Sequence, residues 1–272
     1  MLMPVARNVE KQAMSTLDSV TPIVLTFDEM PNIERTLAKL SWAKRIVVVD
    51  SGSKDGTLEL LAKFPQVEVF HKNFETFAGQ SNHALAQVRT EWVLSMDADY
   101  VLTDEFVPEM ERLVSVGEHD SYWASFRFCI RGKPLRSDNT TPRRVLYRKS
   151  KAGYYDDGHT QRVRIDGTTG HMQARILHDD RKSLSRWLSS QDKYSRREAE
   201  KLLSTPFAEL DRTDQLRRML VLAPFVMPFF CLFARGLILD GWAGIFYSLQ
   251  RTLVELLLSI RLIESSKLQN RP

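Results

Sequence analysis

Residues 45–57 read Arg-Ile-Val-Val-Val-Asp-Ser-Gly-Ser-Lys-Asp-Gly-Thr, and residues 92–99 read Trp-Val-Leu-Ser-Met-Asp-Ala-Asp. Each is a short apolar run that ends in acid. Apolar, β-branched runs of this length suit strands buried on both faces of a parallel sheet. Their carboxylates then emerge at strand carboxyl ends, where open α/β sheets bind ligands. One such acidic end has the chemistry to accept a hydrogen bond from a base or a ribose. Alternate residues of an extended chain point the same way, so Asp97 and Asp99 leave the strand together. Two carboxylates so placed can hold a hard divalent cation against a pyrophosphate. The pattern describes a nucleotide-diphosphate site with a metal, and it needs no glycine-rich phosphate loop.

Working outward, residues 21–117 read as four β-α units. Strands are predicted at 23–26, 46–49, 67–70 and 92–96. Pro31 lies near the start of a helix running to Leu40, with Glu29 and Glu34 favouring its N-terminus. Asp55 is expected to cap the helix that opens at Thr57 and ends before Pro65. A third helix is predicted from about Gly79 to Val88, and Thr103 is expected to cap a fourth that carries Glu105, Glu109 and Glu111. Gly52 and Gly56 permit tight turns beside the ligand. Alternating strands and helices predict a mostly parallel sheet with helices on both faces. From Ser121 onward, short strands and Gly- and Asp-rich turns predict an antiparallel, loop-rich half. Helical spacing returns at 183–203. The expected organisation is an N-terminal extension (1–20), an α/β domain (21–180, divided at 117/118 into a parallel half and an antiparallel, loop-rich half) and a C-terminal helical region (181–272).

Charge and composition narrow the function classes. Cys129 and Cys231 lie far apart in different kinds of segment, so a disulfide framework is not expected. The first twenty residues mix charges among apolar side chains and hold no apolar core long enough for a signal peptide, which predicts a cytoplasmic protein. The net charge of +4 sits in one place: residues 181–218 hold ten basic and six acidic side chains. That segment directly precedes the most apolar part of the chain, an order that fits an anionic membrane surface and not nucleic acid. Residues 219–234 are almost wholly apolar but contain Pro224 and Pro228 and fall short of the ~20 residues a spanning helix needs. Residues 236–263 are apolar too, yet carry Asp240, Arg251, Glu255 and Arg261. Together they predict an interfacial or re-entrant helical hairpin, or alternatively a helical pair packed on the domain or on a second subunit.

These residues carry a family resemblance. Residues 21–29, Thr-Pro-Ile-Val-Leu-Thr-Phe-Asp-Glu, resemble the opening strand of family 2 glycosyltransferases. Residues 47–57 resemble their second signature, and Asp97-Ala98-Asp99 their metal-binding Asp-x-Asp. The later pattern, His178-Asp179-Asp180 before a helix, is similar to the lipopolysaccharide-core and exopolysaccharide subgroup. The resemblance implies a GT-A fold and an inverting transfer from a nucleotide sugar, a UDP-hexose, to a lipid-linked glycan or lipopolysaccharide-core acceptor. Polyprenyl phosphate is the alternative acceptor. It implies Mg²⁺ or Mn²⁺ held by Asp99, with Asp97 as a further ligand or ribose partner, and Asp50 as acceptor for a uracil N3–H. Thr26, Asp28, Glu29, Gly52, Gln80 and Asn82 would line the donor-nucleotide site. It places the protein on the cytoplasmic face of a bacterial inner membrane, as a peripheral or monotopic enzyme, with a homo-oligomer possible.

An inverting transfer needs a base for the acceptor hydroxyl. Asp157 is the first candidate, followed by His159 and Asp180. Family members carry His-Glu where this chain reads Thr160-Gln161, and a glutamine cannot take a proton. Arg144, Arg148, Arg162 and Arg164 are basic residues on the expected acceptor side. Two rival readings are a nucleotide-sugar binding module without catalysis and a membrane-associated scaffold. No Gly-x-Gly-x-x-Gly follows the first strand, which disfavours a dehydrogenase, and no Gly-x4-Gly-Lys-Ser/Thr occurs, which disfavours a P-loop NTPase.

Overall fold

The computed structural model describes residues 15–137, 141–157, 160–219 and 222–265, without the side chains of Asp157 and Thr160. Strands β1 (Val20–Thr26), β2 (Ile46–Asp50), β3 (Val67–His71) and β4 (Trp92–Asp97) form a parallel block in the order β3-β2-β1-β4. Period-2 alternation fixes which side chains face which layer. Val24, Ile46, Val48, Leu94 and Met96 face helices α1 (Ile33–Ala38), α2 (Thr57–Leu61) and α4 (Phe106–Val116). Ile23, Val47, Val49 and Val93 face α3 (Phe77–Gln87) and the β9–β10 hairpin (Ala152–Asp157 and Thr160–Ile165). Every residue of β2 is buried, as a strand covered on both faces requires. Each such Val, Ile or Leu contributes roughly 1.5–3 kcal/mol on burial.

A mixed extension continues the sheet beyond β4. Its order is β8 (Arg143–Arg148), β6 (Ser121–Ile130), β11 (Thr169–His178) and β5 (Tyr100–Leu102), with β7 (Lys133–Pro134) beside β6. Strand β8 runs antiparallel to both β4 and β6 as expected, but β11 runs parallel to β6. This parallel block joined to a mixed extension is the GT-A arrangement that the resemblance implied.

Several local expectations are corrected. Gly56, in the left-handed region at φ 95°, takes the N-cap position of α2, while Asp55 accepts from the Thr57 amide at 3.1 Å one residue earlier. Thr103 does not cap α4 with its side chain, because Glu105 occupies the N-cap position and the buried Thr103 hydroxyl has no partner among the described residues. Three-residue β5 has no periodic signal of its own; its pairing with β11 makes it a strand.

The C-terminal region is helical as predicted. Helix α5 (Leu184–Ser204) leads through α6 (Arg212–Arg218) to α7 (Leu222–Phe229), a π turn at Phe230–Ala234, a 3₁₀ turn at Leu237–Asp240 and α8 (Trp242–Ile263). Two small cores hold it, one against the domain and one within the helical region itself. One joins Ile130 and Leu135 to Cys231, Leu237 and Tyr247; the other joins Ala199, Leu202 and Leu210 to Leu258 and Leu262. Both cysteines are buried and free.

Candidate active site

Strand order reverses at β1, which lies between β2 and β4, so the carboxyl ends of these strands border a switch-point crevice. Register brings the acids to one level: Thr26 pairs with Asp50 and Leu25 with Asp97.

The β1 and β2 ends are knitted into one loop by Asp50. Its Oδ1 accepts from the Gly52 and Ser53 amides at 2.8 and 2.9 Å, and its Oδ2 from the Thr26 and Ser53 hydroxyls at 2.9 and 2.5 Å. Four donors fill the acceptor sites of a carboxylate that is 1% exposed. A contact from Asp50 to a base therefore requires one of these donors to give way. Gly52 adopts φ 97°, and Asp28 is left-handed at φ 52°. An aspartate in that region costs roughly 1–2 kcal/mol. It is held by Asp28 N–H donating to Ser53 Oγ at 2.7 Å and by Lys54 N–H donating to Asp28 Oδ1 at 2.6 Å. Arg186, from the first turn of α5, donates to the Phe27 carbonyl at 2.7 Å and stands 3.5 Å from Asp28 and 3.6 Å from Asp55.

At the end of β4, Asp97 is partly exposed and lies 3.6 Å from Arg143, which donates to the Tyr100 hydroxyl at 2.9 Å. Asp99 is more enclosed. The antiparallel β5–β11 pairing sets His178 opposite Tyr100, so His178 Nε2 lies 3.1 Å from Asp99 Oδ2 and the Asp179 amide donates to the Asp99 carbonyl at 3.0 Å. Burial alone would raise the Asp99 carboxyl, but the charges of His178 and Lys182 outweigh it and hold it at about 2. Burial works against the charged form of His178, and Asp99 and then Asp97 overcome it and raise its pKa.

The chain leaving β11 closes the rear of the crevice. Asn32 Nδ2 donates to Glu29 Oε2 and to Asp180 Oδ1, both at 2.9 Å, and Lys182 Nζ donates to Glu29 Oε1 at 2.5 Å. Glu29 is pushed up to about 7 by burial, against the pull of Lys182 and with the push of the Asp99 charge. Behind it, buried Asp179 accepts from Arg35 at 2.6 Å, from Arg181 at 2.9 Å and from the Gly132 amide at 2.9 Å. A buried carboxylate needs such partners, because stripping one away leaves a charge in a poor solvent.

The structure thus brings Thr26, Asp28, Glu29, Asp50, Gly52, Asp97, Asp99 and Asp180 to one end of the sheet. Gln80 reaches the edge of this cluster, its Nε2 donating to Ser51 Oγ at 3.3 Å, while Asn82 is committed elsewhere. Gln80 Nε2 donates to the Lys72 and Asn73 carbonyls at 2.9 and 3.0 Å. Both amide atoms of Asn82 bond the Tyr154 backbone at 2.9 Å, tying α3 to β9. Asp157 ends β9, but its side chain and the whole of His159 lie outside the described residues. Sequence reasoning assigned no role to Asn32, Arg143, Lys182 or Arg186, and named His178 only within a pattern. The signal for Asn32 and Lys182 was their polarity within three residues of Glu29 and Asp179, but their convergence depends on a contact spanning 148 residues.

The donor set fits a hard cation in part. Asp97 and Asp99 offer ionised oxygens, and no group of three or more His, Cys, Asp or Glu at metal-holding geometry occurs among the described residues. Such a pair leaves most of a Mg²⁺ or Mn²⁺ shell to diphosphate oxygens and water.

The chain is similar in sequence to known glycosyltransferases. An uncharacterized glycosyltransferase of Rickettsia bellii is 28% identical over 125 residues, 46% of this chain and 41% of that protein. The lipopolysaccharide core biosynthesis glycosyltransferase LpsC of Rhizobium meliloti is 26% identical over 144 residues, 50% of this chain and 53% of that protein. The matched segments thus span about half or less of these curated relatives. The crystal structure of S. aureus TarS 1-349 in complex with UDP-GlcNAc superposes with a TM-score of 0.48 at 16% identity, covering 93% of this chain and 92% of that one. The family model for Glycosyl transferase family 2 matches residues 21–238, most of the length, and the chain belongs to that family.

Proposed function

We propose that this chain transfers a sugar from a UDP-sugar to a hydroxyl of a lipid-linked glycan or lipopolysaccharide-core acceptor, with inversion at the anomeric carbon. The observation that carries the reading is the convergence of Asp97, Asp99, Glu29 and Asp180 with His178 and Lys182 at the switch point of a family 2 domain. The LpsC likeness supports the acceptor class. Such an acceptor places the protein at the cytoplasmic face of an inner membrane.

Asp99 and Asp97 would hold Mg²⁺ or Mn²⁺, which as a Lewis acid stabilises charge on the departing diphosphate. The chain's own groups do the rest. His178 and Lys182 keep Asp99 ionised and fixed in place. Arg143 and Lys182 supply positive charge beside the leaving group, where a water-poor site strengthens it. The Asp50-centred loop, with Thr26, Asp28 and Gly52, shapes the nucleoside end of the cleft. Asp180 takes the proton of the attacking acceptor hydroxyl, because it is the candidate base whose carboxylate lies beside Glu29 and Lys182. Asp157, which ends β9, and His159, which lies outside the described residues, are the competing assignment.

The test is a donor and acceptor panel read by release of UDP. Release that requires both a UDP-sugar and an acceptor supports transfer. UDP-sugar binding without release in any acceptor's presence would make the chain a binding module.

A further inference from the structure

Helix α8 is inside out. Its residues Trp242, Phe246, Leu249, Leu256, Ile260 and Ile263 are exposed at three- and four-residue spacing, which is one continuous stripe. The charged residues between Gly236 and Ile263 are Asp240, Arg251, Glu255 and Arg261, and all four turn inward. Glu255 is 1% exposed and accepts from Arg217 at 3.0 Å and from Arg251 at 3.2 Å. Arg261 bonds Ser195 and Asp192 on α5. Asp240 accepts from the Arg136 amide at 2.9 Å, and its carbonyl from Lys133 at 2.6 Å. A helix in water does the opposite.

Helix α7 and the turns after it continue the apolar surface. Phe225, Phe229 and Phe233 are exposed, and so are Ile238 and Leu239 at the tip, Leu239 at 67%. Four backbone amides around the tip are paired internally, which lowers the cost of entry into lipid. Arg235, Gly236, Leu239 and Gly241 each donate an amide to a carbonyl three or five residues back. No described helix is long and apolar enough to cross a membrane, so a surface of this kind lies in the interfacial plane.

We infer that the outer face of the α7–α8 hairpin, tip included, docks this chain on the surface of an anionic lipid bilayer. The apolar wrap around the tip favours lipid over a second copy, since a helix-pairing seam would occupy the stripe of α8 and leave the tip polar. Charge complementarity points the same way: residues 181–218 carry a net +4 (ten basic, six acidic), and their helix α5 packs against α8. Exposed Lys193, Arg196, Arg197 and Arg212 lie in that segment. This surface is separate from the acidic crevice, and the inference does not depend on which donor binds there.

The test uses the full chain with phosphatidylethanolamine/phosphatidylglycerol vesicles and with neutral phosphatidylcholine vesicles. The chain should float with the anionic vesicles, and added salt should weaken the association. Brominated lipid should quench a tryptophan signal that Trp242→Phe removes. A Phe229→Ser/Leu239→Ser variant should keep its thermal midpoint and its UDP affinity while partition falls by at least about tenfold, as expected for polar replacements of lipid-facing apolar groups. The inference is overturned if the full chain stays at the bottom of the gradient with anionic vesicles, or if brominated lipid leaves the Trp242 signal unchanged. It is also overturned if sedimentation finds a dimer that the double variant dissolves, which would make the face an interface between copies.

Discussion

The two ends of this molecule solve the same problem in opposite solvents. At the switch-point crevice, apolar side chains of β1, β2 and β4 are buried and the carboxylates emerge at the strand ends. In the α7–α8 hairpin, carboxylate and guanidinium groups are buried and the apolar side chains emerge. In both places a buried charge is tolerated because it is partnered. Asp50 has four donors and Glu255 two arginines. The difference lies in what each surface faces. The crevice presents carboxylates, as the proposed charged ligand requires, and the hairpin presents apolar side chains, as the proposed lipid surface requires.

The sharpest way to break the comparison is at the chemistry. Asp180→Asn is expected to lower turnover by roughly 10²- to 10⁴-fold, the usual worth of a general base, with donor affinity little changed. Steady-state kinetics of Asp180→Asn, Asp157→Asn and His159→Ala side by side check this. A large loss confined to Asp157 or His159 moves the base to that residue.

The next largest effect is on stability at the hairpin. Glu255→Ala leaves Arg217 and Arg251 without their buried partner and is expected to cost about 3–5 kcal/mol. Urea unfolding of the variant and the parent measures it. A loss under 1 kcal/mol would mean that the inward charges of α8 are solvated and that the helix is not inverted.

At the other end, Asp50→Ala orphans the Gly52 and Ser53 amides and is expected to cost roughly 2–4 kcal/mol. Unfolding and UDP titration of one sample separate two roles. Stability kept while uridine affinity is lost would make Asp50 a ligand to the base and not the anchor of the loop.

The smallest effect concerns pH. Burial would raise the Asp55 carboxyl, but bonds from Thr57 and Met30 and the charge of Arg186 outweigh it and lower its pKa. A carboxyl lowered in the fold stabilises above its unfolded pKa, and that contribution is lost as pH falls through the folded value. Asp55→Asn should therefore flatten the acid limb of stability below about pH 4. An unchanged acid limb would show that the group is unperturbed.

The parallel block was legible because its information is local. Residues 46–49 are apolar at every position and the run ends in acid at Asp50, a pattern that suits a strand covered on both faces. The Asp97–Asp99 pair was visible for the same reason, since the two are two residues apart, Asp97 ending β4 and Asp99 in the turn that follows. What surrounds them was not legible. His178 meets Asp99 across 79 residues, and Asn32 meets Asp180 across 148. Those contacts follow from the short β5–β11 pairing, which no periodic pattern announces. The tail shows the same limit. Arg251 and Glu255 are one turn apart, a spacing at which opposite charges pair; they do pair, at 3.2 Å, but inside the protein. The reason is Arg217, 38 residues earlier, which draws Glu255 inward. Local spacing predicted the ion pair, and the side of the helix it occupies was decided by a distant residue.

The most direct measurement is calorimetric titration of UDP into the full chain with Mn²⁺ and then with EDTA, repeated on Asp99→Asn. An asparagine there keeps the shape of the side chain and removes its charge. UDP should bind the parent tightly with Mn²⁺ and at least about tenfold more weakly with EDTA, while the folded variant should bind equally weakly in both, as expected when a metal ligand is lost. Equal affinity for UDP in Mn²⁺ and EDTA on the parent chain would contradict the metal-assisted donor site at Asp97 and Asp99.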